Sequence, residues 1–271
     1  MEYSKYLFQT CAQFIILCVA VLNSEELVFD DGGWSSGSEV RIRDEGHCNI
    51  DVLDGSSLSY QLFMERFAFQ RPVILRGLTN NTRFRSSCSR SSLLQDYGDR
   101  TVRLSTANTH SYKKVDVSFR TYVDVFLRPQ SVDALGNDTL YFFGDNNFTE
   151  WEGLFDQYEP PPYILPQTSG AYSFGIAGPG TGVPFHWHGP GYSEVIYGRK
   201  RWFLYPPHKE PHFHPNHTTL SWVMNTYPYL PLEEAPLECT IRPGEILYFP
   251  DRWWHATLNL DTSVFISTFL G

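Results

Sequence analysis

The second half of the chain is a succession of short apolar-rich runs, each closed by glycine, proline or a cluster of polar residues. Runs at 139–143, 171–177, 193–197, 201–205, 237–242, 246–249, 255–260 and 263–269 predict strands, because they are rich in β-branched and aromatic residues and too short for helices. Gly198 is expected to turn 193–197 and 201–205 into a hairpin. Upstream the period changes. Apolar residues Leu58, Leu62, Phe63 and Phe67 recur at helical spacing, and 89–97 reads as a helix with Ser89 as N-cap and Gly98 just past its end. A second short helix is expected at 119–127, with buried strands at 71–77 and 101–104. Many strands without intervening helices imply a mainly β sandwich or barrel, with the helical part packed on its outside.

The first residues do not follow this scheme. Lys5 precedes an apolar run at 12–22, and Cys18-Val19-Ala20 has the small-residue spacing of a signal-peptidase site. An uncleaved anchor is the competing reading, weakened because the run is shorter than the ~20 residues a span needs. The expected organisation is a signal peptide over 1–23, an extension over 24–54 and one domain over 55–271. Within that domain a mixed helical part runs over 55–130 and a barrel over 131–271. No later stretch predicts a membrane span.

A lumenal destination changes the meaning of two residue types. The N-x-[ST] sequons at Asn80, Asn137, Asn147 and Asn216 become candidate glycosylation sites, which must lie on the surface. Once the signal is removed, Cys48, Cys88 and Cys239 remain, enough for one disulfide. Cys48 and Cys88 lie in polar, loop-like sequence and are the expected pair, with Cys239 a small buried hydrophobe in a strand. The formal net charge of −9 excludes a nucleic-acid partner, whose phosphates need a basic surface.

Candidate chemistry centres on His186-Trp187-His188. On an extended segment the two imidazoles project to one face, and His255 supplies a third donor further on. The competing reading is that these are polar residues filling a barrel interior. A second cluster, His208, His212, His214 and His217, lies in proline-rich loop sequence and reads as solvated. Trp253 and Trp254 read as packing.

The segments 186–207 (HWHGPGYSEVIYGRKRWFLYPP) and 243–269 (PGEILYFPDRWWHATLNLDTSVFISTF) closely resemble the JmjC group of double-stranded β-helix proteins. The resemblance extends to 71–77 and 89–104. It implies a cupin-like barrel and Fe(II)- and 2-oxoglutarate-dependent oxygenase chemistry. Carried over by position, His186 and His255 match iron ligands, Lys200 and Tyr141 match contacts to the far carboxylate of 2-oxoglutarate, and Thr181 matches a pocket threonine. The family motif is His-x-Asp, and here His188 stands at the aspartate position. That exchange removes a negative charge from the site, favours Zn²⁺ over a redox iron and implies impaired turnover. Glu194, the next acid along, is expected to point out of the barrel, while Glu245 and Asp251 are expected in structural turns. The expected role is then binding to protein partners in the lumen of the endoplasmic reticulum. The alternative is an active protein hydroxylase there.

Overall fold

The structure, a computed structural model, describes residues 30–35 and 44–271. The expected signal peptide lies outside the described residues. Asp31–Gly271 form one compact unit. Along it run β1 (Val52–Asp54), α1 (Tyr60–Arg66), β2 (Val73–Arg76), α2 (Thr82–Ser87), α3 (Arg90–Tyr97), β3 (Thr101–Thr106) and β4 (Lys114–Ser118). A short helical passage, Phe119–Thr121 and Tyr122–Phe126, leads to β5 (Leu140–Phe143), β6 (Gly170–Ala177), β7 (Gly191–Tyr197) and β8 (Lys200–Tyr205). The chain ends with α4 (Thr219–Asn225), β9 (Leu237–Ile241), β10 (Glu245–Phe249), β11 (Trp254–Asn259) and β12 (Ser263–Leu270).

The strands form two sheets. The larger has the order β1-β2-β10-β7-β12-β6-β5-β3-β4 and the smaller β11-β8-β9. Only β1 and β2 run parallel among these pairs. The inner faces meet in a core of Val195, Leu247 and Phe249 from the large sheet against Trp202, Leu204 and Ile241 from the small one. Each fully buried side chain of this kind contributes roughly 1.5–3 kcal/mol. The chain is therefore mainly β, with two sheets closed over one interior.

The junction at Gly198 differs from the expected hairpin. β7 pairs with β10 and β12, whereas β8 pairs with β11 and β9. The turn carries the chain from one sheet to the other. Gly198 has φ +79°, and a Cβ there would stand 2.5 Å from the Thr262 carbonyl, so both conformation and space require glycine.

The N-terminal elements cover the outer face of the large sheet. Phe84, Leu93, Phe119 and Trp151 pack on Phe174, Ile196 and Ile266, while Phe63 and Phe67 pack on Tyr192 and Tyr248. β7 is consequently buried at all seven positions. Ser89 caps α3 as expected, its hydroxyl accepting from the Ser92 N–H at 3.3 Å. The short α2, α4 and β4 lacked a long enough periodic run to be expected.

The disulfide is Cys48–Cys239, spanning 191 positions of sequence, and not the expected Cys48–Cys88. Cys88 is fully buried beneath α2 and α3, and its carbonyl accepts from the Trp34 indole at 3.0 Å. Loop-like sequence was a poor guide because the 44–50 segment runs along β9. Asn49 exchanges hydrogen bonds with Glu238: its N–H donates to the Glu238 carbonyl (3.0 Å), and its side-chain oxygen accepts from the Glu238 N–H (2.6 Å). This pairing puts residue 48 opposite residue 239.

Candidate metal centre

The segment 180–188 runs beside β11 as an added edge of the small sheet. Asn259 N–H donates to the Thr181 carbonyl, Thr257 N–H to Val183, and His186 and His255 exchange N–H···O bonds of 3.1 and 2.9 Å. The approach is so close that a Cβ on Gly182 would fall 1.7 Å from the Thr257 carbonyl oxygen. Strand alternation then turns His186 and His255 inward together. His188 follows two residues later, its carbonyl held by the Arg252 N–H at 3.0 Å.

The three rings converge. Their potential ligand atoms all lie within 4.8 Å of one another. The Nδ1 atoms of His186, His188 and His255 stand 2.9, 2.8 and 2.9 Å from the carbonyl oxygens of Pro184, Gly189 and Trp253. A carbonyl only accepts, so each Nδ1 carries the proton and each Nε2 presents a lone pair. His188 and His255 bring these lone pairs to 3.1 Å of each other. Burial drives His186 down to about 4, with further lowering from His188, and also lowers His188 and His255, so neutral imidazoles are favoured. Two facing lone pairs with no proton between them call for a cation. Nitrogens bound at about 2.1 Å to one ion would stand roughly 3.0–3.4 Å apart, which matches.

A cavity of about 30 Å³ adjoins the rings, lined by the three histidines with Tyr141, Phe143, Lys200, Trp202, Phe249 and neighbouring side chains. Lys200 and Tyr141, matched by the resemblance to 2-oxoglutarate contacts, are both among the lining residues. Lys200 is 3 % exposed and its Nζ sits 3.2 Å above the Phe265 ring, with no carboxylate partner among the described residues. Burial pushes its pKa well below the lysine range and pushes the Tyr141 hydroxyl upward. Thr181 lies apart from the cavity: its hydroxyl donates to the Gly178 carbonyl (2.5 Å) and accepts from Asn259 (3.2 Å). Thr257 and Ser267 line the wall instead, together with Trp202, which sequence reasoning missed. Trp202 stands two residues beyond Lys200 on the same strand, and that spacing was a usable signal.

No carboxylate lines this cavity. Glu194 points away from it, as expected, yet is 3 % exposed because the N-terminal layer covers it. Its two oxygens accept from Asn81 at 3.2 and 2.9 Å. Glu245 holds Arg76 at the end of β10, and Asp251 pairs with Arg252 in a turn. In the histidine-rich loop the His214 and His217 rings lie 4.4 Å apart beside a separate pocket of about 460 Å³. Among the described residues only His186, His188 and His255 form a metal-sized cluster. Of the sequon residues, Asn80, Asn137 and Asn147 are exposed. Asn216 is half-buried, and its amide donates to the Asn137 side chain at 3.1 Å.

The donor set fits a divalent metal, and Zn²⁺ or Fe(II) accepts imidazole. Lys200 and Tyr141 are likewise consistent with 2-oxoglutarate.

A family model described as "Cupin-like domain" matches residues 59–269. JmjC domain-containing protein 8 of Homo sapiens is 66% identical over 241 residues, covering 89% of this chain and 90% of that protein. Its counterpart in Rattus norvegicus is 63% identical over 244 residues, with the same coverage. A solved structure of YcfD, a ribosomal oxygenase from Escherichia coli in complex with cobalt and succinic acid, matches with TM-score 0.49 and 17% identity, over 79% of this chain and 52% of that one. With the family match over most of its length and these identities, the chain belongs to the cupin-like JmjC family, in the group of JmjC domain-containing protein 8.

Proposed function

We propose that this protein is a metal-binding, catalytically impaired JmjC barrel that works in the lumen of the endoplasmic reticulum by binding protein partners in regulation or signalling. One observation carries the reading: His188 occupies the place of the ligand carboxylate, and no lining residue replaces the lost charge. Bound iron would supply redox chemistry with O₂, and three neutral imidazoles support an oxidised iron less than two imidazoles and a carboxylate do. They suit Zn²⁺ better. The lumenal part rests on the sequence of 1–23, on the exposed sequons at Asn80, Asn137 and Asn147, and on the Cys48–Cys239 disulfide, which an oxidising compartment sustains.

The test is chemical. Protein purified from a secretory host should contain zinc or take up one divalent metal, and should release no more succinate from 2-oxoglutarate under Fe(II) and O₂ than a His255→Ala control. Steady release above that control would overturn the impaired reading. Failure to bind any divalent metal would remove the metal site.

A second reading, an active Fe(II)- and 2-oxoglutarate-dependent protein hydroxylase, is favoured by one specific placement. Lys200 and Tyr141 both line the cavity that adjoins the three histidines. The same succinate assay decides between them.

A further inference from the structure

Residues 44–49 form a strap along the outer edge of β9 and are joined to it by the Cys48–Cys239 disulfide. The rest of the hold is polar. Asn49 engages the Glu238 N–H and C=O, and its side-chain amide donates to the Pro236 carbonyl at 3.2 Å. The Glu45 carbonyl accepts from the Thr240 hydroxyl at 2.8 Å, and its carboxylate pairs with Arg199 and Arg242. Partly exposed ion pairs of this kind contribute little. Five of the six strap residues are exposed, and Cys48 has the one apolar side chain among them. The next residue, Ile50, is 5 % exposed and packs with Ile74 and Trp202 in the core. The disulfide is therefore the strongest tie between strap and β9, and Ile50 is the point from which a freed strap swings.

Beneath the strap lies a buried ion pair. The Arg201 and Glu238 side chains are 1 % and 0 % exposed, and the guanidinium donates to one carboxylate oxygen at 2.9 and 2.5 Å. Gly46 sits over this pair, so close that a Cβ there would stand 2.2 Å from Arg201 Nη2. His47 Nδ1 lies 3.1 Å from the other carboxylate oxygen, which also accepts from the Tyr227 hydroxyl. When the strap leaves, Glu238 keeps both Arg201 and Tyr227, so no charge is stranded without a partner. The cover can open without dismantling what it covers.

We propose that the Cys48–Cys239 disulfide is a redox latch: reduction by a thiol such as glutathione frees residues 44–49, uncovers the edge of β9 and admits water to the Arg201–Glu238 pair, while the barrel stays folded. Cys48 is exposed and Cys239 is 5 % exposed, so the thiolate attacks at Cys48. It forms a mixed disulfide with Cys48 Sγ as the Cys48–Cys239 bond breaks, and Cys239 departs as a thiolate that takes up a proton. A second thiol cleaves the mixed disulfide, which returns Cys48 as a thiol and leaves the two reductant sulfurs joined. The protein gains two electrons and two protons, and the reductant loses them. Because β9 ends the small sheet, the reduced form presents Glu238 backbone groups that the oxidised form hides. The latch does not depend on whether the three histidines hold a metal.

The test is amide hydrogen exchange on the protein purified from a secretory host, in buffers of rising reduced-to-oxidised glutathione ratio. Alkylation and peptide mapping report the state of Cys48 and Cys239 at each ratio. As the disulfide opens, the Asn49 and Glu238 amides should exchange faster by about tenfold or more, while those of β7 and β12 keep their protection. Cys48→Ser should show the same fast exchange with no reductant present and no further response to glutathione. Asn49 and Glu238 amides that stay protected after full reduction would overturn the latch, because the polar contacts alone would then hold the strap. Loss of β7 protection at the same ratio would also overturn it, since the bond would then open only with the whole fold. The wild-type titration decides the matter without the variant.

Discussion

Glu194 offers a measurement of how far the N-terminal layer seals the barrel. Its carboxyl sits on the outer face of β7, 3 % exposed, with the Asn81 amide as its donor and Glu159, Cys88 and Tyr158 close enough to interact electrostatically. Burial raises its pKa from the ordinary 4.5 to about 7, partly opposed by the Asn81 hydrogen bond. Over that range the folded protein keeps a proton that the unfolded chain has released. Stability is therefore full below about 4.5, falls as pH rises through about 7, and is flat beyond. At about 1.4 kcal/mol for each pH unit, the ionised carboxylate costs on the order of 3 kcal/mol. Glu194→Gln removes the titration while nearly preserving shape, and its amide can still accept from Asn81. Urea unfolding of both proteins, at matched ionic strength and with the disulfide intact, should show the wild type losing about 3 kcal/mol relative to the variant between pH 4.5 and 8. A constant offset between the two is the cost of the amide itself and tests nothing. Curves that stay parallel over the whole range would refute a buried, proton-holding Glu194.

Other consequences follow from the same geometry. Cys239→Ser opens a loop closed over 191 positions; the chain-entropy estimate for such a loop is about 5 kcal/mol, engineered and native bridges usually yield ~2–4, and denaturation midpoints should fall accordingly. Gly182→Ala puts a methyl group where the Thr257 carbonyl already stands. It should cost about 3 kcal/mol or more and weaken metal binding, read by calorimetry and metal analysis of the soluble fraction. His255→Ala deletes one of three ligands. Zinc affinity should fall by more than the ~10–100-fold typical of losing an outer-shell partner, measured by chelator competition. His188→Asp restores the carboxylate and should shift preference from Zn²⁺ toward Fe(II) in the same competition; an unchanged preference would show that residue 188 does not select the metal.

The strand-rich half was legible because its information is local. Period-two runs closed by glycine and proline name strands without knowledge of their partners, and His186 and His188 at a spacing of two announce a shared direction. Partnership itself was not legible. Gly198 looks the same whether it closes a hairpin or passes the chain between sheets, because either path needs a positive φ. Cys239, inside an apolar strand, gave no sign of a bonding partner 191 positions away, since the strap that brings Cys48 to it is held by the Asn49 and Glu238 backbone groups. Glu194 shows the limit most clearly. Alternation correctly turned it out of the barrel, but outward meant solvent only until α1 and α2 were laid over that face.

The same separation between backbone and side chain explains how the fold can carry an unusual ligand. His186 and His255 are fixed by reciprocal N–H···O bonds between their own peptide groups, and His188 by its carbonyl and by the Nδ1 contact to Gly189. None of these holds depends on what residue 188 offers a metal. An aspartate at that position would use the same backbone bond from Arg252. A histidine at 188 therefore leaves the strands in register, adds the Nδ1 contact to the Gly189 carbonyl and offers a neutral donor in place of a charged one. A barrel built this way can change the donors at its centre without losing its shape. The neighbouring donors, Lys200 and Trp202, are seated by β8 in the small sheet and are equally indifferent to that charge.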